Sequence, residues 1–309
     1  MILLAGIPTE PPLARVAYEL ERLNVPVILF NQREAARAHI DFQLDPEGVR
    51  GELTLGHVTH RLEDIAGAYT RLMDDRILPE LDGESPDSPR RAACRDLHDT
   101  LYRWLEITPA RVVNRASAMG SNGSKPYQSQ LIARAGFGVP ETLVTSDPEL
   151  VYDFLAKHGR VIYKSVSGSR SIVQELTAAD FARLGDIHWC PVQFQAYVEG
   201  ADVRVHVIGE QLFATRVSSV ATDYRYAGTG GGEPARLEAI ELDDDVAERC
   251  VQLTRSLGLR FSGLDLRVPA EGDVVCFEAN PCPAYSYYQG HTGQPIAAAV
   301  ALYLAGAAP

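Results

Sequence analysis

The sequence predicts a mixed protein, an α/β lobe followed by α+β units, and three observations carry that prediction. An apolar run, ILLAGI, is followed by Leu13, Val16, Ala17, Leu20 and Leu23 at helical spacing and then by PVILF, a β-α-β start that implies a parallel strand pair. Beyond residue 124, helical and strand-like runs of modest length alternate without a repeat. Near the end, two strand-like runs, FSGLDLRVP and VVCFEAN, flank AEGD and carry acids in apolar surroundings.

Composition narrows the classes of function. The 309 residues suffice for two or three lobes, and 46% hydrophobic with 23% charged residues is ordinary for a globular protein. A formal charge of -12 and the lack of a Lys/Arg-rich run argue against a nucleic-acid partner, because a phosphate backbone needs a positive surface. The start, MILLAGIPTEPP, has no basic segment and reads as a buried strand, and no run is long enough to span a bilayer, so no membrane partner is expected. Cys94, Cys190, Cys250, Cys276 and Cys282 are scattered, without CxxC spacing. They read as reduced thiols, with the cytoplasm as the expected location.

Along the chain, GELTLGHVTHRL reads as a hairpin and AGAYTRLM as a strand. The first loop, GIPTEPP, lacks the glycine fingerprint of a dinucleotide site. DGESPDSPR reads as a loop, Ala92, Leu97, Leu101, Trp104 and Leu105 as one helix face, RVVNR as a short strand and NRASAMGSNGS as a linker. KPYQSQLIARA is a helix closed by Gly136, and SDPE starts another, with Asp147 or Ser146 as cap. RVIYKSV and PVQFQAYV are strands, with a short helix around TAADFARL between them. VRVHVIGEQLFATRV is a hairpin turning at Gly209-Glu210, and DDDVAERCVQLTRSLG and QPIAAAVALYLAG are helices. PCPAYSYY, after Asn280, is taken as a strand. The expected lobes are 1–115, 116–198 and 199–309.

Several residues carry candidate chemistry. A four-residue AEGD turn sets Asp265 opposite Glu278, and Asn280 shares the face of Glu278 two residues on. A slip of one residue would turn Asp265 away. Three hard oxygen donors suit magnesium, with manganese as the alternative, which takes the rest of its shell from water and substrate phosphates. Taken singly, each acid is better explained as an exposed strand residue, and Asn280 as a turn former before Pro281. Lys164 in VIYKSV needs an anion, which a phosphate supplies, or else lies along a strand edge. Ser167, Gly168 and Ser169 form a small loop able to fold over phosphates, and Lys125 opens a helix after a glycine-bearing linker. Gln195, Ala196, Tyr197 and Val198 end a strand whose backbone can read an adenine edge, with Glu199 or Asp202 beside it for ribose hydroxyls. Arg204, Arg216 and Arg225 are candidate clamps for phosphate or carboxylate oxygens, Arg225 foremost. Cys282 has no base near it in sequence, and Tyr285, Tyr287 and Tyr288 read as packing residues.

Taken in order, Lys125, Lys164, the SGSRS loop, QAYV, Asp202, Arg225, Asp265 and the E-A-N of Glu278 to Asn280 resemble the ATP-grasp superfamily. Within it the chain is similar to the RimK-like ligases and to the graspetide synthetases, over residues 110 to 305, FEANP and TGQPIAAA being closest to the latter. The resemblance implies two α+β lobes holding ATP behind a small α/β N-terminal lobe. Lys125 and Lys164 would contact phosphates, Ala196 to Val198 the adenine and Asp202 the ribose side. Asp265, Glu278 and Asn280 would hold magnesium, and Arg225 would steady the transferred group. Ala196 stands where an acid is common, and PCPAYSYY departs from the peptide-cyclising sequences.

The implied reaction joins a carboxylate to an amine, or a hydroxyl, through an acyl phosphate. The substrates would be a small amino acid or a peptide, in a monomer or a homodimer. Three alternatives stay open: a graspetide-type macrocyclase, a phosphotransferase acting on a hydroxyl, and a nucleotide-sensing module without catalysis.

Overall fold

The structure, a computed structural model, describes residues 1–166, 173–219 and 235–307. The N-terminal part contains β1 (Ile2–Gly6), α1 (Pro11–Arg22), β2 (Val27–Asn31), β3 (Ala38–Asp45), β4 (Gly48–Leu55), β5 (Val58–Arg61), β6 (Gly67–Arg71), α2 (Pro89–Ile107) and β7 (Arg111–Val113). β2, β1, β6 and β7 form a parallel sheet in that order, and β3, β4 and β5 a small antiparallel one. The β-α-β start and the β4–β5 hairpin follow the sequence pattern. β3, which had no strand signal in that reading, pairs with β4 along its whole length.

Next come α3 (Ala116–Met119), α4 (Lys125–Arg134), β8 (Thr142–Thr145), α5 (Pro148–His158), β9 (Val161–Ser165), β10 (Gln174–Glu175) and β11 (Val192–Ala196). The four strands form an antiparallel sheet in the order β10-β9-β11-β8. The Asp147 side chain caps α5 by accepting from the Glu149 amide at 3.0 Å. Gly136 and Gly159 follow their helices at φ of 85° and 71°, the left-handed region that favours glycine. The predicted linker is instead built of short helical turns, α3 and a 3-10 turn over Gly120–Gly123.

The C-terminal part contains β12 (Ala201–Ile208), β13 (Gln211–Ser218), β14 (Arg236–Ile240), α6 (Asp244–Ser256), β15 (Phe261–Val268), β16 (Val275–Asn280), α7 (Ser286–Thr292) and α8 (Ile296–Ala305). Its antiparallel sheet runs β14-β13-β12-β15-β16. Val203, Val205 and Val207 alternate onto one face with Leu264, Leu266, Cys276 and Ala279, and α6 covers them with Val246, Cys250 and Leu253. Each of the valines and leucines among them contributes roughly 1.5–3 kcal/mol where fully buried. The opposite face is therefore left to the polar residues of the same strands.

PCPAYSYY is not a strand. Its two prolines end the sheet, and α7 starts at Ser286, with Tyr285 and Tyr288 buried at helical spacing and Tyr287 exposed. The Tyr285 hydroxyl donates to the Pro12 carbonyl at 2.6 Å, and Tyr288 packs with Val217 and Ala235. α8 crosses back to the first lobe and shares a core with Ile2, Leu4, Leu13, Val16 and Leu20. Among the described residues no helix is long and apolar enough to cross a membrane.

Candidate active site

The polar face of the C-terminal sheet holds the first cluster. Asp265 on β15 pairs directly with Glu278 on β16, and Gly263 with Asn280. A bulge then shifts the register by one, so that Leu266 pairs with Cys276 and Phe277 is the extra residue. The bulge lets Leu266 and Cys276 stay in the core while Asp265, Glu278 and Asn280 share the other face. The three predicted metal ligands are thus brought together, one acid opposite another and the amide two residues along.

Each acid has a cationic neighbour. Lys125, the first residue of α4, places Nζ 3.3 Å from Glu278 Oε2. Arg204, on β12 across from Asp265, donates from Nη1 to Asp265 Oδ1 at 2.6 Å. The Arg204 guanidinium lies over Gly263, where a Cβ would meet Nη2 at 2.1 Å, and packs beside the Tyr288 ring at 5.8 Å. The oxygen of Asn280 accepts the Cys282 amide at 2.8 Å, which turns the chain just past the cluster. Three hard oxygen donors on one face, two of them anionic, fit a magnesium ion.

Buried amides unmarked in the sequence hold this cluster. Gln128 on α4 donates to the Ala279 carbonyl at 2.9 Å and accepts its amide at 3.1 Å. That two-point bond fixes the helix, and hence Lys125 one turn earlier, against the strand that carries Glu278. Beyond α4, Gly138 accepts the Cys276 amide at 3.0 Å and donates to the Val274 carbonyl at 3.0 Å. Asn114, at the end of β7, donates to the carbonyls of Phe261 and Pro281, both at 2.7 Å. Its oxygen accepts the amides of Arg260 at 2.7 Å and Phe261 at 3.1 Å.

The small sheet supplies the second cluster. Val161, Tyr163 and Phe194 enter the core under α5, so Lys164 and its cross-strand partner Gln193 lie on the other face with Gln195. Gln195 donates to Thr142 Oγ1 at 2.9 Å. The side-chain oxygens of Gln193 and Gln195 are buried and accept no hydrogen bond among the described residues. Such orphans cost about 1–3 kcal/mol each and mark places where a donor is wanted. Gln193 escaped the sequence reading, where it passes for an ordinary alternating strand residue.

Between the two sheets runs the connecting segment. The amides of Ala196 and Tyr197 donate to the carbonyls of Glu141 and Arg160, both at 3.0 Å. Among the described residues, the Val198 amide makes no backbone bond of this kind. Arg267, another residue the sequence reading passed over, donates from Nη1 to the Val198 carbonyl at 3.0 Å and pairs with Asp202 at 2.9 Å. Its guanidinium lies 5.8 Å from the rings of Tyr197 and Phe277, and Arg160 stacks on Tyr197 at 3.7 Å. Glu199 is exposed and pairs with Arg160. Arg160, Tyr197, Asp202, Arg216 and Arg267 border one polar cleft.

Arg204 and Arg216 do not share a face of the sheet. Arg216 pairs with Val203 and Glu238, and strand alternation puts it on the face opposite Arg204. Arg225 and the loop of Ser167, Gly168 and Ser169 lie outside the described residues. Arg71 Nη1 lies 3.1 Å from the Cys282 sulfur, and burial raises that thiol's pKa against the pull of Arg71. His206 is fully buried between Phe261 and Tyr288, with no hydrogen bond to either ring nitrogen among the described residues, and burial, then Arg204, holds its pKa well below 6.5.

Comparison with known proteins gives these clusters a setting. A family model described as "RimK-like ATP-grasp domain" matches residues 123–304. The chain is 27% identical, over 81% of its length and 88% of the relative's, to a protein of Xanthomonas axonopodis pv. citri (strain 306) described as "Probable alpha-L-glutamate ligase". The structure of the ATP-grasp ligase PsnB, complexed with a phosphomimetic variant of minimal precursor, Mg and ADP, covers 99% of this chain and 98% of its own at 28% identity and a TM-score of 0.77. A RiPP-associated ATP-grasp ligase of Chryseobacterium gregarium, solved with ADP and a leader and core peptide, has the same fold at a TM-score of 0.83 and 21% identity. The chain belongs to the RimK-like ATP-grasp family and is an ATP-grasp ligase.

Proposed function

We propose that the chain joins a substrate carboxylate to an amine at the expense of ATP, through an acyl phosphate. The direct pairing of Asp265 with Glu278, with Asn280 on the same face and Lys125 and Arg204 beside them, carries this reading. Lys125 from α4 and Lys164 from the small sheet grip phosphate oxygens, and Arg204 balances charge on the transferred phosphoryl group. The orphaned oxygens of Gln193 and Gln195 suit the exocyclic amine of adenine, whose ring edge falls to the Val198 amide and the carbonyls near it. Asp202, held by Arg267, sits on the ribose side. Magnesium, when held by Asp265, Glu278 and Asn280, supplies charge neutralisation for the phosphates.

The first step forms a bond from the carboxylate oxygen to the terminal phosphorus and releases ADP. In the second, the amine nitrogen forms a bond to the acyl carbon, phosphate leaves, and the ammonium's proton passes to solvent. Such chemistry asks the protein for positioning and charge balance, which matches a site built of lysine, arginine and carboxylates. The five free thiols suit a reducing compartment, the cytoplasm.

A peptide substrate, with ring closure by amide or ester bonds, is the second reading. The PsnB likeness extends over 99% of the chain, N-terminal lobe included, and that relative was solved with a precursor. ADP release measured against amino acids, dipeptides and candidate precursor peptides tests both readings. Hydroxylamine trapping of the acyl phosphate separates a ligase from a phosphotransferase. Glu278→Gln is expected to abolish turnover with the fold intact, and turnover at wild-type rate would remove the proposal.

A further inference from the structure

The groups proposed to hold phosphate and those proposed to hold metal are bound to each other in the structure. Lys125 Nζ lies 3.3 Å from Glu278 Oε2, and Arg204 Nη1 lies 2.6 Å from Asp265 Oδ1. Neither arrangement is a loose surface contact: the Lys125 side chain is 15% exposed and that of Glu278 27%. Gln128, bonded to both backbone groups of Ala279, holds the helix that carries Lys125 against the strand that carries Glu278. Lys125 therefore cannot leave Glu278 by moving the helix, only by re-aiming its own side chain.

We infer that Glu278 acts as a selector: it occupies Lys125 until a divalent ion takes its place, so that the site accepts the metal–nucleotide complex and resists the bare nucleotide. The inference rests on the ligase reading above. A bare phosphate that draws Lys125 away leaves a half-buried carboxylate unpaired and facing a second anion, which is costly on both counts. With a divalent ion held at Glu278, Lys125 would be free to pass to phosphate, so that every charge would keep a partner. Metal and nucleotide then favour each other's binding by the same factor, as linkage requires.

The test is calorimetric titration of the whole chain with ADP, in EDTA and in magnesium. It compares wild type, Glu278→Gln, Lys125→Met and the double variant, each checked for folding by circular dichroism, with Glu278→Ala as substitute if the glutamine variant misfolds. The expected result is that Glu278→Gln binds metal-free ADP roughly three- to tenfold more tightly than wild type, the size of a part-buried ion-pair coupling. That gain is expected to vanish in the Lys125→Met background. A gain of equal size without Lys125 would show plain repulsion between Glu278 and phosphate, and no gain would show that the pair does not compete; either overturns the inference alone. Absence of ADP uptake by the wild type in magnesium would instead overturn the ligase reading and take the selector with it.

Discussion

Gln128 and Ala279 exchange two hydrogen bonds, at 2.9 and 3.1 Å, so that one side-chain amide replaces a missing neighbour strand for the residue between Glu278 and Asn280. Gln128→Leu leaves the buried amide and carbonyl of Ala279 without partners. The expected cost is about 2–4 kcal/mol, read from the midpoint of urea unfolding, together with weaker nucleotide binding because Lys125 loses its support. Unchanged stability would show that water replaces the amide.

Gly263 lies under the Arg204 guanidinium, and an added Cβ would sit 2.1 Å from Nη2 and 2.7 Å from the Pro283 side chain. Gly263→Ala must displace Arg204 from Asp265 or move the loop after Asn280. Turnover is expected to fall by roughly two orders of magnitude, as when one stabilising donor is lost. The check is kcat with the melting temperature measured beside it, since loss of fold would lower both.

Asn114 makes four hydrogen bonds, all to backbone groups of Arg260, Phe261 and Pro281. Asn114→Ala orphans several of these at once, and a loss of about 3 kcal/mol or more is expected in chemical denaturation. Asp at this position keeps the acceptor but removes both donors and is expected to be no better.

His206 gives the stability a pH slope. Its folded pKa is held well below 6.5, so the unfolded chain binds a proton at pH values where the folded chain does not. Stability from this group is present above its unfolded pKa and is lost as pH falls below about 6.5, by up to ~1.4 kcal/mol per pH unit. His206→Phe, which keeps an aromatic ring against Tyr288, is expected to flatten the fall in melting temperature between pH 7 and pH 5. An unchanged slope would exclude His206 as its source.

The sequence made the carboxylate pair legible because strand alternation and a short turn are local rules. AEGD fixed the spacing, although the turn side of the hairpin is shifted and the bulge at Phe277 restores the pairing of Asp265 with Glu278. Gln128, Asn114 and Arg267 were illegible for one shared reason. Two of them act on backbone atoms 146 to 167 residues away, and Arg267 on a carbonyl 69 residues away, distances at which no periodicity speaks. PCPAYSYY misled because tyrosine favours strands, whereas Tyr285 and Tyr288 are three apart and pack as a helix does. Gln193 became visible only as a buried oxygen lacking a donor.

Helix α8 packs its Ile296, Ala297, Val300, Ala301 and Leu304 against Ile2, Leu4 and Leu13. During synthesis, β1 thus waits with an oily flank bare until α8, which begins at Ile296, has left the ribosome. The nascent chain needs a temporary cover for that flank, and stopping translation short of residue 296 would strand an adhesive stump rather than a smaller working lobe.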